Sequence, residues 1–141
     1  MYGADDGMIG LVLLSLSIGA VAAMPFTGWV IIKNGSRKIT LYSALLYCAI
    51  VALIPVLPGL SALFILYFLM GIVTGVLDVA MNAQAILVEQ AYKKSIMTSF
   101  HALFSIGMMV GAGSASLFTA LGTDLTYHFL IVAGASLLAV A

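Results

Sequence analysis

The sequence predicts an all-α, polytopic transmembrane helical bundle, and two observations carry that prediction. Only 7% of the 141 residues are charged and 64% are hydrophobic, whereas about 25% charged residues are usual in a soluble domain. The apolar residues also gather into long runs, and a helix needs about 20 of them to cross a bilayer. We therefore treat residues 1–141 as a single transmembrane domain.

Five apolar runs define the expected spans, at about 8–32, 39–57, 60–88, 100–121 and 129–141. The turns between them carry break signals such as Asn34-Gly35 and Pro58-Gly59. The last run is about 13 residues long, too short to cross, so we predict that it is truncated. With an N-terminus that does not resemble a secretory signal, this predicts a piece of a larger protein.

The ionic residues are distributed one-sidedly over these spans. All cations follow the first or the third span, and two crossings separate those turns, so they share one side. By the positive-inside rule this side is cytoplasmic, the N-terminus faces outward, and the chain is a multi-pass protein of the cell membrane. Zero net charge and the absence of a long basic run exclude nucleic acid as a partner. The cations are Lys33, Arg37, Lys38, Lys93 and Lys94, and the acids on the other side are Asp5, Asp6 and Asp124.

The third span has a polar, small-residue face at about 100° per residue. We expect Ala80 and Leu87, on the opposite side, to face lipid, and Gln84 falls off the polar face. Glu89, four residues before Lys93, is expected to form an interfacial ion pair. The polar face consists of Gly71, Thr74, Gly75, Asp78, Asn82, Ala85 and Glu89.

Asp78 is the unusual residue of that face. An isolated carboxylate near the bilayer centre costs about 2.5–3.5 kcal/mol on insertion scales, and no Lys or Arg of this chain lies at its depth. Two explanations stay open. Asp78 is a neutral packing residue hydrogen-bonded to Asn82 or a hydroxyl, or it is a proton or substrate site that lines a cavity.

Small residues on three spans predict close helix packing. The first span offers Ser15, Gly19 and Ala23, and the third offers Gly71 and Gly75. On the fourth span, a mildly polar stripe begins with His101 and Ser105. A separate stripe on that span contains Gly107, Gly111 and Ser114.

Enzymatic chemistry is not indicated. His101 and His128 fall at opposite ends of the fourth span, about 30 Å apart, so they cannot share a metal or a haem. His101 and Ser105 lack an orienting group and an oxyanion site, so a hydrolase is rejected. No cofactor-binding motif is present, and we predict no metal and no cofactor.

The loop "GWVIIKNGSRKI" resembles the G-x-x-x-D-[RK]-x-G-R-[RK] signature of major facilitator superfamily transporters. Four residues match, and together with Lys38, which follows directly, they form the expected conformational-switch loop. Ile32 replaces the family's Asp, which helps to latch the two halves of the transporter, and Ser36 replaces its first Arg. The residues of this loop are Gly28, Lys33, Gly35, Arg37 and Lys38.

The resemblance implies helices 2 to 6 of a twelve-helix transporter, a partial N-terminal domain that lacks helix 1 and the C-terminal half. "LDVAMNAQ" and "SFHALFSIGMMVGA" are similar to a bacterial subgroup distantly related to fucose-type sugar permeases. Tyr67 stands where the family's proton-coupling Arg often lies. The fourth span lacks the Gly-Pro pair of antiporters, and both departures disfavour a drug–proton antiporter.

We therefore predict secondary active transport by alternating access, as symport or uniport of a sugar-like or other small organic substrate. Asp78, Asn82 and His101 are the candidates for substrate binding or proton coupling. The lipid bilayer, a small-molecule substrate and protons are the expected partners. The alternative is a non-transporting membrane assembly protein or an inactive transporter fragment.

Overall fold

The computed structural model describes residues 5–140 and contains only helices among them. Five α-helices follow one another, and a short 3-10 turn, Ile54–Val56, lies between the second and the third. The helices are α1 (Asp6–Asn34), α2 (Ser36–Leu53), α3 (Leu60–Tyr92), α4 (Met97–Ala120) and α5 (Leu125–Val140).

Four of these helices are long and apolar enough to cross a membrane: α1, α3, α4, and α2 with its 3-10 extension. The fifth has a shorter apolar stretch, Thr126–Ala139. Met1–Ala4 and Ala141 lie outside the described residues, and so do the predicted outward N-terminus and the end of the fifth span. Large apolar side chains are exposed around the bundle, including Phe26 at 72% and Ile32 at 85%. Such a surface fits lipid rather than water.

Helix α3 is the centre of the bundle. It packs along α1 on one side and α2 on another, and α5 packs against α2. Leu16 meets Gly71 and Ala20 meets Gly75, so α1 and α3 run parallel and their C-terminal ends share one end of the bundle. We call this the basic end, because Lys33 lies there in the last turn of α1. The opposite end, where Asp6 begins α1, is the acidic end.

The α1–α3 contact is a seam between backbones. Ser15, Gly19, Ala23 and Thr27 recur every four residues on α1, and all four are buried. A Cβ added at Gly71 would overlap the Leu16 carbonyl oxygen and lie 2.9 Å from the Leu16 Cα atom. The predicted close packing through small residues is therefore confirmed for the first span and for the third, and the structure shows that these two spans pack against each other.

The prediction that Ala80 faces lipid is wrong, because its exposed fraction is 0%. Helix α3 has neighbours on two sides, so the face away from its polar residues is also partly covered. A cluster that includes Ile50 of α2 and Val73 of α3 fills that second contact. Leu87, which the same prediction placed in lipid, is 54% exposed.

Helix α4 stands apart from the rest of the bundle. It makes only sparse contact with α3, and none of its residues is buried. A Cβ at Gly107 or Gly111 would meet nothing within 4 Å. The predicted small-residue stripe on α4 therefore has no neighbouring helix within residues 5–140.

Candidate functional site

The three candidate residues predicted from the sequence meet at one cavity. It lies between α3 and α4 and has a volume of about 190 Å³. Asp78 and Asn82 come from α3, one turn apart, and His101 comes from the second turn of α4. The other lining residues are Met81, Ala85, Phe100 and Phe104.

A local hydrogen bond holds Asn82 against Asp78. Its Nδ2 donates to the Asp78 carbonyl oxygen over 2.8 Å and to the carboxylate Oδ1 over 3.3 Å. The Asp78 side chain is nevertheless exposed rather than buried. The amide thus orients the carboxylate, which lines the α3–α4 cavity.

The serine one turn along α4, Ser105, forms no hydrogen bond with the imidazole of His101. The Ser105 hydroxyl donates to the backbone carbonyl oxygen of His101 over 3.0 Å, as is common one turn along a helix. At the acidic end, His128 stacks on Phe118 with ring centres 4.7 Å apart. Within residues 5–140, no group of three metal-ligating side chains comes together.

Glu89 fixes the start of α4, and with it the position of His101. One carboxylate oxygen, Oε2, accepts hydrogen bonds from the backbone N–H groups of Ile96 at 2.9 Å and Met97 at 3.0 Å. The N–H groups of a first helical turn lack partners within the helix, and a carboxylate satisfies them well.

The predicted Glu89–Lys93 ion pair is replaced by this capping interaction. Helix α3 continues to Tyr92, and Lys93 then adopts a left-handed conformation with φ +53°. Since the i,i+4 spacing brings side chains together only on a continuing helix, the chain reversal at Lys93 removes the geometry of the pair. Nothing in the residue types alone distinguishes the two partners of Glu89.

The loop predicted to act as a conformational switch is a one-residue interruption between α1 and α2. Gly35 occupies it with φ +81°, a conformation that side chains rarely adopt. Lys33 lies with its Nζ 4.1 Å from the ring centre of Trp29, and Arg37 and Lys38 are exposed. Gly28 has no neighbour within 4 Å of an added Cβ, so it supports no close approach here.

A contact that the sequence analysis missed joins this loop to α3. The buried Ser36 hydroxyl donates to Oε1 of Gln84 over 2.6 Å. Gln84 was discounted because it lies off the polar face, yet that position points it toward α2. The sequence contained one signal for this contact. Ser36 replaces an arginine of the family signature, and a neutral side chain at that position favours a neutral partner on α3.

These features define a multi-pass membrane protein with a cavity between two of its helices, lined by three polar side chains within apolar walls. All 141 residues match the sequence model of the Major Facilitator Superfamily, and the chain belongs to that family. The predicted all-α transmembrane fold is confirmed, as is the family resemblance found in the loop around Gly35. The family consists of membrane transporters rather than enzymes.

Three relatives carry general descriptions. The chain is 38% identical over 122 residues to an uncharacterized MFS-type transporter of Yersinia pestis, covering 86% of this chain and 32% of that protein. It is 33% identical over 124 residues to an uncharacterized transporter of Sinorhizobium fredii, with coverages of 88% and 33%. It is 32% identical over 110 residues to the membrane protein MosC of Rhizobium meliloti, with coverages of 78% and 27%.

The chain spans about a third of the length of the curated relatives it matches, from 27% to 33%. No solved structure matches it.

Proposed function

We propose that the protein carries out secondary active transport of a small solute by alternating access, and that the α3–α4 cavity belongs to its solute or proton path. The supporting observation is that Asp78, Asn82 and His101 line one cavity although they come from two helices. Transporters of this kind bind their substrates near the bilayer midplane, between two halves that move around the site. Helix 1 and a C-terminal half would supply the remaining walls.

The depth of Asp78 favours a functional role over a packing role. Fourteen residues separate it from the end of α3 at Tyr92, which corresponds to about 21 Å along the helix. A charged carboxylate is costly at such a depth in lipid but much less so beside a water-filled cavity. Asp78 is exposed toward such a space, so it can exchange a proton or bind a polar solute group.

The composition of the cavity wall supports a small, hydroxyl-rich organic substrate. Asp78 accepts hydrogen bonds, and the Asn82 amide and the neutral form of the His101 imidazole each provide both a donor and an acceptor. Phe100 and Phe104 add flat apolar surfaces. A few polar groups within apolar walls are typical of small-molecule sites. This combination of polar groups and apolar walls is suited to binding a sugar-like compound for symport or uniport.

The proposal includes an orientation. The basic end carries Lys33, Arg37 and Lys38, and both parallel helices α1 and α3 terminate there. With this end in the cytoplasm of the cell, the positive-inside rule is satisfied. The α3–α4 cavity then lies toward the cytoplasmic half of the membrane.

Transport assays with the full-length protein in proteoliposomes test the proposal. A pH-sensitive dye inside the vesicles reports proton movement when neutral sugars and other small polar organic solutes are added one at a time. We expect Asp78→Asn to abolish solute-dependent proton movement while exchange of the same labelled solute across the membrane persists. Asp124→Asn, a carboxylate change at the acidic end, is the matched control and should leave both signals intact.

Unchanged proton coupling in Asp78→Asn would reduce Asp78 to a packing residue. If no solute of the panel moves in either assay, the competing assignment as a non-transporting assembly protein gains support. The small-residue stripe of α4, which no helix covers within residues 5–140, favours the assignment as an assembly protein, because it allows close contact with another helix. Co-purification of a stable partner, together with the absence of solute flux, distinguishes it from a transporter.

A further inference from the structure

A second cavity lies among α2, α3 and α5, away from Asp78. Its volume is about 250 Å³. Tyr67, which lines it from α3, precedes Asp78 by eleven residues, or about 16 Å toward the acidic end. The two cavities share no lining residue.

Four polar side chains contribute to the wall of this second cavity: Tyr47 and Cys48 of α2, Tyr67 of α3 and Ser136 of α5. Tyr47 and Tyr67 both pack against the same α2–α3 cluster. The hydroxyls of Tyr47, Tyr67 and Ser136 have no hydrogen bond within residues 5–140.

Those hydroxyls are accessible rather than sealed. Among the described residues, no fully buried polar side-chain atom lacks a hydrogen-bond partner, so unpaired hydroxyls must reach open space. Tyr47, Tyr67 and Ser136 all line the cavity, which supplies that space. In the hydrocarbon region a hydroxyl donor without an acceptor is unfavourable, and a bound molecule with an acceptor relieves it.

We propose that the α2–α3–α5 cavity binds a small, neutral, membrane-partitioning molecule that carries a hydrogen-bond acceptor, such as an ester or a ketone. None of the described residues that line the cavity is charged, so an ionic ligand would lose its hydration without compensation from them. Its volume falls just under the range of about 300–1,000 Å³ that holds drug-sized ligands. A single aromatic ring with one ester group fits that size.

Photolabelling with a diazirine derivative of methyl benzoate tests the site, using the full-length protein in lipid nanodiscs and peptide mass spectrometry. We expect insertion to concentrate on the cavity-lining segments of α2 and α5. Methyl benzoate should compete with labelling at about tenfold lower membrane concentration than propylbenzene, which has a similar shape but no acceptor.

Two variants distinguish hydrogen bonding from simple partitioning. The double variant Tyr47→Phe/Tyr67→Phe should remove the preference for methyl benzoate, and circular dichroism verifies that its helices are retained. Tyr42→Phe removes a hydroxyl from α2 outside the cavity, at a residue that is 65% exposed. That control should keep the preference.

Equal competition by methyl benzoate and propylbenzene would overturn the proposal. Labels spread evenly over lipid-facing residues such as Leu41 and Leu46 would overturn it as well. A preference that survives in the double variant would show that the phenols are not the donors. None of these readouts depends on solute transport, so the proposed function and this site can fail separately.

Discussion

The Ser36 hydroxyl and the Gln84 side-chain amide are joined by a 2.6 Å hydrogen bond between the first turn of α2 and α3. Neither partner is charged, and Ser36 is only 5% exposed. The structure thus ties these two helices together at the basic end with a neutral pair. In the family signature, a charged residue occupies the position of Ser36.

Replacement of Ser36 by alanine should destabilise the bundle by about 1–3 kcal/mol, because the Gln84 oxygen loses its donor. Thermal unfolding in detergent, followed by circular dichroism, measures the change. Ser17→Ala is the matched control: that hydroxyl is exposed and its bond to Leu13 is 3.5 Å long, so a change within about 0.5 kcal/mol is expected. Equal effects of the two variants would refute a specific role for the Ser36–Gln84 pair.

The α1–α3 seam predicts opposite outcomes for two glycine-to-alanine changes. Gly71→Ala places a methyl group against the Leu16 backbone, and overpacking of this kind costs about 1–3 kcal/mol. Gly107→Ala on α4 meets nothing within 4 Å, so the higher helix propensity of alanine should stabilise by about 0.5–1 kcal/mol. Resistance to unfolding by sodium dodecyl sulfate compares the two, and a Gly71→Ala protein as stable as wild type would contradict the seam.

Loss of the Glu89 cap should loosen the start of α4. Glu89→Ala removes the acceptor of two N–H groups, and bonds to a charged acceptor contribute about 1.5–3 kcal/mol. Hydrogen exchange at Ile96 and Met97 should therefore accelerate about tenfold or more. Gln90→Ala, at an exposed neighbouring residue, is expected to leave both rates unchanged. Unaltered exchange in Glu89→Ala would mean that the carboxylate does not hold α4.

The start of α5 should respond to acid in a defined direction. Hydrogen bonding by the Thr126 side chain and backbone N–H lowers the pKa of Asp124 below its ordinary value of 3.8. A depressed carboxyl pKa stabilises the folded state above 3.8, and that contribution disappears as the pH falls through the lower, folded-state value. Nuclear magnetic resonance of the Thr126 amide, whose N–H lies 2.8 Å from Oδ1, follows the titration. A midpoint above 3.8 would contradict the expected sign.

The spacing of small and apolar residues predicted the helices and the small-residue faces of α1 and α3, because both depend on local periodicity. It did not predict that these two faces meet. Asp78, Asn82 and His101 could likewise be placed on faces of their own helices. The arrangement of helices around α3 was harder to predict from the sequence. Ala80 is buried because α3 has two neighbouring helices. Periodicity identifies the faces of a helix but does not show how many helices cover them. The hydrogen-bond partners of Glu89 and Ser36 depend on turns of the chain that bring separate segments together. Side-chain chemistry alone does not predict which residues become such partners.

The single non-helical residue at Gly35 has an electrostatic consequence for the helix that follows it. Arg37 and Lys38 are placed in the first turn of α2, where the helix macrodipole concentrates positive charge and each added cation costs about 0.3–1 kcal/mol. Lys33 lies instead in the last turn of α1, at the negative end of the macrodipole, where a cation is favourable. The charges of Arg37 and Lys38 therefore interact unfavourably with the dipole of their own helix. Their benefit lies in anchoring this end of the bundle among water and lipid phosphates.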